Sequence, residues 1–329
     1  MQQIHIIGGG LAGTAAAISA LDSGANVRIY EKSKFPRHKV CGEFLSPAAL
    51  RLLEELGVRG EFESALPSPI RRAHLHFGRS ENKFILPETA WGLSRASLDD
   101  LLLCTAMKRG AELQRERMTS APTPLVLANG RHSLSDPSEK GHRLFGFKAH
   151  FIGPLTDAVE LYFFGECYVG VNPAGSGITN VCGIAPEHLM QHCNFDQDKV
   201  LTLCAPLRER LAPLTRSMEW LSVGPLRFEN KFHVQVQEGV YCAGDALSFV
   251  DPFTGSGMLA ALRTGILAGT YAATGKPSSR YVEAARATLE KPFRVSSVFR
   301  WATTHGWAER LGPYIPGRLL FSLTRPHLQ

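Results

Sequence analysis

The chain has 329 residues, 44% hydrophobic and 20% charged, the balance of an ordinary globular enzyme. Its formal charge of +6 lies wholly in the stretch from Lys276 onward, where nine Lys or Arg stand against three Glu; with no helix-turn-helix, zinc-finger or RNA-binding motif, this is not a nucleic-acid surface. There is no apolar run of about eighteen residues to span a membrane, the first strand begins too early for a secretory leader, and seven scattered cysteines without C-x-x-C fit a reducing compartment, so the expected location is cytoplasmic.

The apolar run 4–7 reads as a strand and 11–23 as a small-residue helix, with Gly8, Gly10 and Gly13 between them in G-x-G-x-x-G. In that pattern Gly8 permits the tight turn, Gly10 lets the backbone approach a pyrophosphate, and Gly13 lets helix and strand pack closely. The pyrophosphate would rest on the unpaired N–H groups at Leu11 and Ala12, at the positive end of the helix. A second strand, 26–30, leads to Glu31 and Lys32, and an acid eighteen residues past Gly13 suits the two hydroxyls of a ribose.

An irregular segment 32–47 then leads to a helix over 48–56, and alternating residues in 70–86 read as two paired strands. Ser94 caps a helix carrying Leu98, Leu101 and Leu102 on one face. Short strands follow in 111–121 and 124–130, then strand periods with few helical stretches from Leu144, which suits a mostly antiparallel sheet. A helix is expected near 196–211. The apolar segment 239–244 with Gly244 and Asp245, and a glycine-rich helix start at Gly255 and Gly257 leading into 257–273, complete the second half of a dinucleotide clamp. A chain that grips a dinucleotide from both ends of its sequence implies FAD.

The segment FPRHKVCGEFLSP, 35–47, resembles the P-x-x-K-x-C-G-G element of the geranylgeranyl-reductase-like flavoproteins, a branch of the p-hydroxybenzoate-hydroxylase fold. Pro36, Lys39, Cys41 and Gly42 match, and Glu43 stands where glycine is usual. Arg95, Leu98 and Asp99 resemble the fold's R-x-x-L-D helix, which implies that Arg95 contacts FAD; Gly244 and Asp245 resemble its Gly-Asp pair, which implies that Asp245 holds the ribityl chain. DPFTGSGM resembles the flavin-ring segment, placing Pro252, Gly255, Gly257 and Met258 beside the ring. The resemblance also puts Cys41 next to the ring as the candidate catalytic residue, able to donate a proton; the alternative is a small apolar filler. Lys39, Arg37 and the start of the helix at Gly257 are candidates for stabilising charge on the reduced ring.

Two departures bear on function. The superfamily's D-G-x-x-S-x-x-R segment appears as Asn129 to Ser133 with Asp136 in the arginine's place, which argues against direct docking of NADH or NADPH. The reductases' Y-x-W-x-F-P segment is replaced by Tyr168, Gly170, Asn172 and Pro173, a pocket with two fewer large aromatics. The absence of W-x-W-x-I-P sets the chain apart from flavin halogenases. His188, His192 and Cys193 have a spacing that can ligate metal, but they lack a carboxylate in register and read as surface residues. His74 and His76 share a strand face toward a pocket or solvent, Ser46 and Ser133 read as turn or cap residues, and no metal site is expected.

The expected architecture is α/β. A discontinuous Rossmann-like FAD-binding domain (1–70, 94–143 and 239–275) is interleaved with a β-rich substrate domain (71–93 and 144–238) and followed by a helical C-terminal region (276–329). The expected activity is flavin hydride transfer on an apolar polyketide- or isoprenoid-like molecule. The alternatives are monooxygenation of an aromatic or polyketide substrate and, from another class, a flavin electron carrier without its own substrate. The basic, aromatic tail 289–329 either closes the substrate pocket or docks on an acidic carrier protein or an anionic membrane surface, and a partner reductase is the expected electron source.

Overall fold

The computed structural model describes residues 2–78, 80–131, 143–226, 228, 237–249 and 255–304. Strands β1 (Gln3–Ile7) and β2 (Asn26–Tyr30) flank helix α1 (Leu11–Asp22). After the irregular segment come β3 (Phe44–Leu45), α2 (Pro47–Glu55), α3 (Arg59–Ser64), the long strands β4 (Ser68–Phe77) and β5 (Ser80–Gly92), and α4 (Arg95–Lys108). Ser46 and Ser94 both act as N-caps, accepting from the Ala49 and Ser97 amides.

Strands β6 (Glu112–Gln114) and β7 (Leu125–Leu127) return to the first sheet, and β8 (Leu144–Ile152), β9 (Ala158–Phe164), β10 (Cys167–Pro173) and β11 (Ile178–Pro186) build the second. A short helix α5 (Glu187–His192) comes next, and where one helix is expected over 196–211 two short ones form: α6 (Gln197–Thr202) and α7 (Ala205–Leu211). The break has local causes. The Asp196 carboxylate caps α6 through the Asp198 and Lys199 amides, and Pro206, having no N–H, starts α7 rather than continuing α6. Strands β12 (Thr215–Arg216), β13 (Leu221–Leu226) and β14 (Val240–Cys242) precede α8 (Gly257–Ala273) and α9 (Ser278–Thr304).

Two sheets result. The first is five-stranded and wholly parallel, in the order β14-β7-β1-β2-β6. The second has nine strands, in the order β12-β8-β11-β10-β9-β4-β5-β3 with β13 also on β8; it is antiparallel except where β4 runs parallel to β9. A mixed sheet of this kind with a separate parallel sheet is the α/β arrangement the sequence implies.

Small residues decide how the parallel sheet is covered. A Cβ on Gly265 would lie 2.3 Å from the Ala12 carbonyl oxygen, and one on Gly269 would lie 2.1 Å from that of Ala16, so α1 and α8 touch backbone to backbone. Gly13 does the same work at the strand: a Cβ there would lie 1.8 Å from the Gly8 oxygen. The beginning of α9 docks on this core, with Tyr281, Ala285 and Leu289 buried and the Tyr281 hydroxyl donating to the Cys242 carbonyl. No helix among the described residues is long and apolar enough to cross a membrane. The remainder of the tail, 305–329, lies outside the described residues, and with it the segment's expected membrane or carrier contact.

Candidate functional site: a dinucleotide cradle facing a buried polar cluster

The carboxyl ends of β1, β7 and β14 converge on the α1 N-terminus. Gly10 is the N-cap of α1 and no side chain caps it, so the first amides of Leu11, Ala12 and Gly13 are left to an anion. Glu31, 6% exposed, braces the turn by accepting from the Gly9 amide at 2.9 Å and the Ser33 amide at 2.7 Å. Burial opposes its ionisation, but those amides hold it below the ordinary carboxylate range.

Across the turn, Lys39 reaches back from the irregular segment. Its ammonium lies 2.9 Å from the Cβ that Gly10 lacks and pairs with Asp99 at 2.7 Å. Asp99 is fully enclosed and also takes both Arg95 Nε and Nη2, at 2.7 and 2.9 Å. Two cations thus share one carboxylate beside an uncapped helix start, an excess of positive charge that fits a diphosphate. The structure thus sets Lys39 beside the Gly10 turn, where the sequence pattern expects a pyrophosphate. Lys32, by contrast, is exposed.

Gly244 has φ +62, donates to Thr264 Oγ1 at 2.8 Å, and abuts the Ala12 methyl; Asp245 follows it. Burial pushes the Asp245 carboxyl up, against the charges of Arg131, Arg95 and Lys39. Gly255 lies at φ +61, a Cβ on Gly257 would meet nothing within 4 Å, and Met258 is buried in the first turn of α8. Pro252 lies outside the described residues, as do Ser133 and Asp136.

Cys41 sits where this cradle meets the second sheet. Its sulfur accepts from the Glu43 amide at 3.4 Å and contacts the Arg95 guanidinium, and its carbonyl accepts from Asn180 Nδ2 at 3.1 Å. Gly42 beside it faces open space. Burial alone would lower Arg95, but Asp99 and Cys41 raise it above its ordinary value.

Behind Cys41 lies a cluster that sequence reasoning does not assemble. Glu43, fully buried at φ +53, pairs with Lys148 and, at 2.7 Å, with His150; it also accepts from the Arg95 amide at 2.6 Å. Burial opposes the Glu43 charge, but the His150 hydrogen bond and Lys148 hold its carboxyl below the usual range. The His38 ring meets His150 edge-on at 5.0 Å. Lys148 and His150 alternate with Phe147, Ala149 and Phe151 along β8, so the polar pair faces the cradle and the apolar set faces α5–α7. The signal was present as that alternation and as a glutamate in a glycine's place. In the left-handed region a glycine is unstrained, so a glutamate there is kept by its partners.

The cleft has unmet hydrogen-bonding capacity: Asn129 Oδ1, Asn180 Oδ1 and Arg37 Nε are buried with no partner. With the open Gly10 turn, these atoms fit a large polar cofactor. On β10, Gly170 pairs in register with Cys182 and Asn172 with Asn180, so these small and polar groups share the cradle-facing side with Lys148. His188 and His192 are exposed while Cys193 is 3% exposed, so the three do not form one ligating face.

Comparison with known proteins agrees with this geometry. Residues 3–56 match the family described as glucose inhibited division protein A (GIDA). Over 309 residues, covering 80% of this chain and 75% of the relative, the chain is 24% identical to the 1H-pyrrole-2-carbonyl-[peptidyl-carrier protein] brominase of Pseudoalteromonas luteoviolacea. Over 134 residues, 40% of this chain and 32% of the relative, it is 31% identical to digeranylgeranylglycerophospholipid reductase 1 of Methanopyrus kandleri. Among solved structures, the myxobacterial chondrochloren halogenase, an FAD-dependent enzyme, superimposes with a TM-score of 0.78 at 20% identity, covering 98% of this chain and 91% of that one. The missing W-x-W-x-I-P segment therefore does not separate this chain from flavin halogenases in fold. The fold is that of the FAD-binding flavoenzymes, and FAD is the cofactor.

Proposed function

We propose that this FAD-dependent enzyme is an oxidoreductase that adds a hydride and a proton across a double bond of an apolar polyketide- or isoprenoid-like substrate, free or carried by an acidic carrier protein. The observation that carries the reading is the position of Cys41, whose thiol contacts Arg95 of the cradle and whose backbone carbonyl accepts from Asn180 of the second sheet.

In this reading the Gly8–Gly13 turn, the α1 amides and Lys39 bind the pyrophosphate, Glu31 the ribose, and Asp245 the ribityl chain. When bound, FAD supplies two-electron hydride chemistry. Arg95 orients the Cys41 sulfur, and the thiol proton is delivered to the substrate carbon adjacent to the one that takes hydride. Glu43, Lys148 and His150 anchor the segment that carries Cys41 to β8, so that the thiol's distance to the substrate is set by a rigid sheet. Gly170 and Asn172 leave room on that wall for a substrate bulkier than a flat ring.

A second reading, oxygenation or halogenation of an activated ring, is favoured by the brominase relative, whose likeness covers most of both chains and whose substrate is carrier-bound. Product mass separates the two. Under anaerobic conditions with dithionite as reductant, a gain of two hydrogens on a prenylated quinone or polyketide thioester supports the first reading. Product formation only with oxygen, with a gain of one oxygen or replacement of a hydrogen by bromine, overturns it.

A further inference from the structure

We propose that His74, His76 and Glu160 form a binding site for one divalent cation of the zinc class, on the face of the second sheet turned away from the FAD cradle. His74 and His76 are two residues apart on β4 and so project from the same face. The parallel register sets Glu160 of β9 opposite His74 and Tyr162 opposite His76. One donor atom from each of His74, His76 and Glu160 lies within 4.8 Å of the others. Tetrahedral zinc with bonds of about 2.0–2.2 Å needs donors about 3.3–3.5 Å apart, a contraction that side-chain rotation on a half-buried surface supplies. Two imidazole nitrogens and a carboxylate are a donor set suited to zinc, with cobalt(II) as its spectroscopic substitute.

An independent observation points to a ligand. His76 Nε2 is buried with no hydrogen-bond partner; Glu81 lies 3.5 Å from it, an ion pair when the imidazole is protonated but not a hydrogen bond. The surrounding groups orient the donors as outer partners of metal ligands do. The Tyr162 ring stacks on His76 at 4.2 Å and 6°, and its hydroxyl donates to Glu160 Oε2 at 2.8 Å. Arg210 of α7 is the competitor, donating to Glu160 Oε1 at 2.7 Å; its guanidinium must swing outward when a cation binds.

A second trio, His38, Glu43 and His150, has similar spacing but shares its carboxylate with the fully enclosed ammonium of Lys148, which has nowhere to retreat. The His74 site lies on the side packed by α5–α7, since Tyr162 joins that core, so it is separate from the flavin chemistry. A cation there would strap β4 to β9, the pair in which the sheet turns parallel.

The test is calorimetric titration of the full-length, FAD-loaded, chelator-treated protein with zinc chloride, and visible spectroscopy with cobalt chloride. One equivalent should bind, cobalt should show the absorption of a low-coordinate nitrogen–oxygen site, and zinc should raise the melting temperature. H76A and E160Q should each weaken zinc by tenfold or more, and R210M should tighten it. Because E160Q also strands Tyr162 and Arg210, H74A/H76A with an unchanged circular dichroism spectrum is the arbiter. H188A/H192A should leave binding unchanged. The proposal is overturned by the absence of binding up to about 1 mM zinc, by affinity indifferent to H76A, or by a stoichiometry that falls in H188A/H192A.

Discussion

Glu43 and Lys148 meet in an ion pair with both side chains fully enclosed, although 105 positions separate them in the chain. The pair locks the segment carrying Cys41 to the centre of β8, and its energetics follow from what happens when one member is removed. Lys148→Met leaves Glu43 with His150, whereas Glu43→Gly leaves a buried ammonium without a counter-charge. Glu43→Gly also relieves a left-handed backbone, worth about 1–2 kcal/mol, but the stranded charge costs about 3–5 kcal/mol. The single Glu43→Gly variant should therefore be destabilised. The double variant with Lys148→Met should recover most of the loss in urea-denaturation midpoint. A double variant less stable than Glu43→Gly alone would show that the stranded ammonium is not what destabilises the single variant.

Acid should act through the same carboxylate. Glu43 is held below its ordinary value of 4.5, so the folded state binds its proton less readily than the unfolded chain. Its contribution is present in full above that value and is lost as pH falls through the lower folded value. Asp99 and Glu31 are also lowered and act in the same direction. Urea midpoints measured from pH 7 down to pH 3 should fall steeply for the wild type below about 4.5. Glu43→Gln should be less stable at neutral pH and should show a shallower fall.

At the pyrophosphate turn, Gly10→Glu places a carboxylate where Lys39 and the α1 amides await a diphosphate, and the purified variant should be colourless. Lys39→Met should keep the fold but weaken FAD, and it should flatten the dependence of FAD affinity on salt because one charge contact is gone. Equal salt slopes for variant and wild type would remove Lys39 from the cradle.

Asp245→Ala should loosen FAD by roughly 1–3 kcal/mol through loss of a hydrogen bond to the cofactor, read as a higher dissociation constant in fluorescence titration. Cys41→Ser should retain FAD, with turnover lowered by tenfold or more, at the low end of about 10²–10⁴ for proton-transfer groups. Undiminished turnover would leave Cys41 as packing.

The first turns of α9 are held by Tyr281, which lies against Tyr241 at 5.6 Å and Tyr271 at 6.1 Å. Tyr281→Ala should cost about 3–5 kcal/mol, the loss typical of a buried aromatic, measured by chemical denaturation.

The elements that sequence alone determined are those whose cause is local. Gly8, Gly10 and Gly13 act within one turn, the 26–30 strand and the 257–273 helix carry their period in their own residues, and Ser46 and Ser94 cap the helices that immediately follow. The single helix expected over 196–211 failed because Asp196 and Pro206 outweigh a weak helical period. What only the tertiary structure decided depends on residues brought together from far apart. Lys39 reaches Gly10 only because Asp99 anchors it, and His74 faces Glu160 only because β4 lies parallel to β9. Lys148 looks like one polar residue in an apolar strand until Glu43 arrives from the other sheet's connection. Periodicity reports which face a side chain takes; which charge waits on that face is set by strand order and loop path, and neither leaves a local trace.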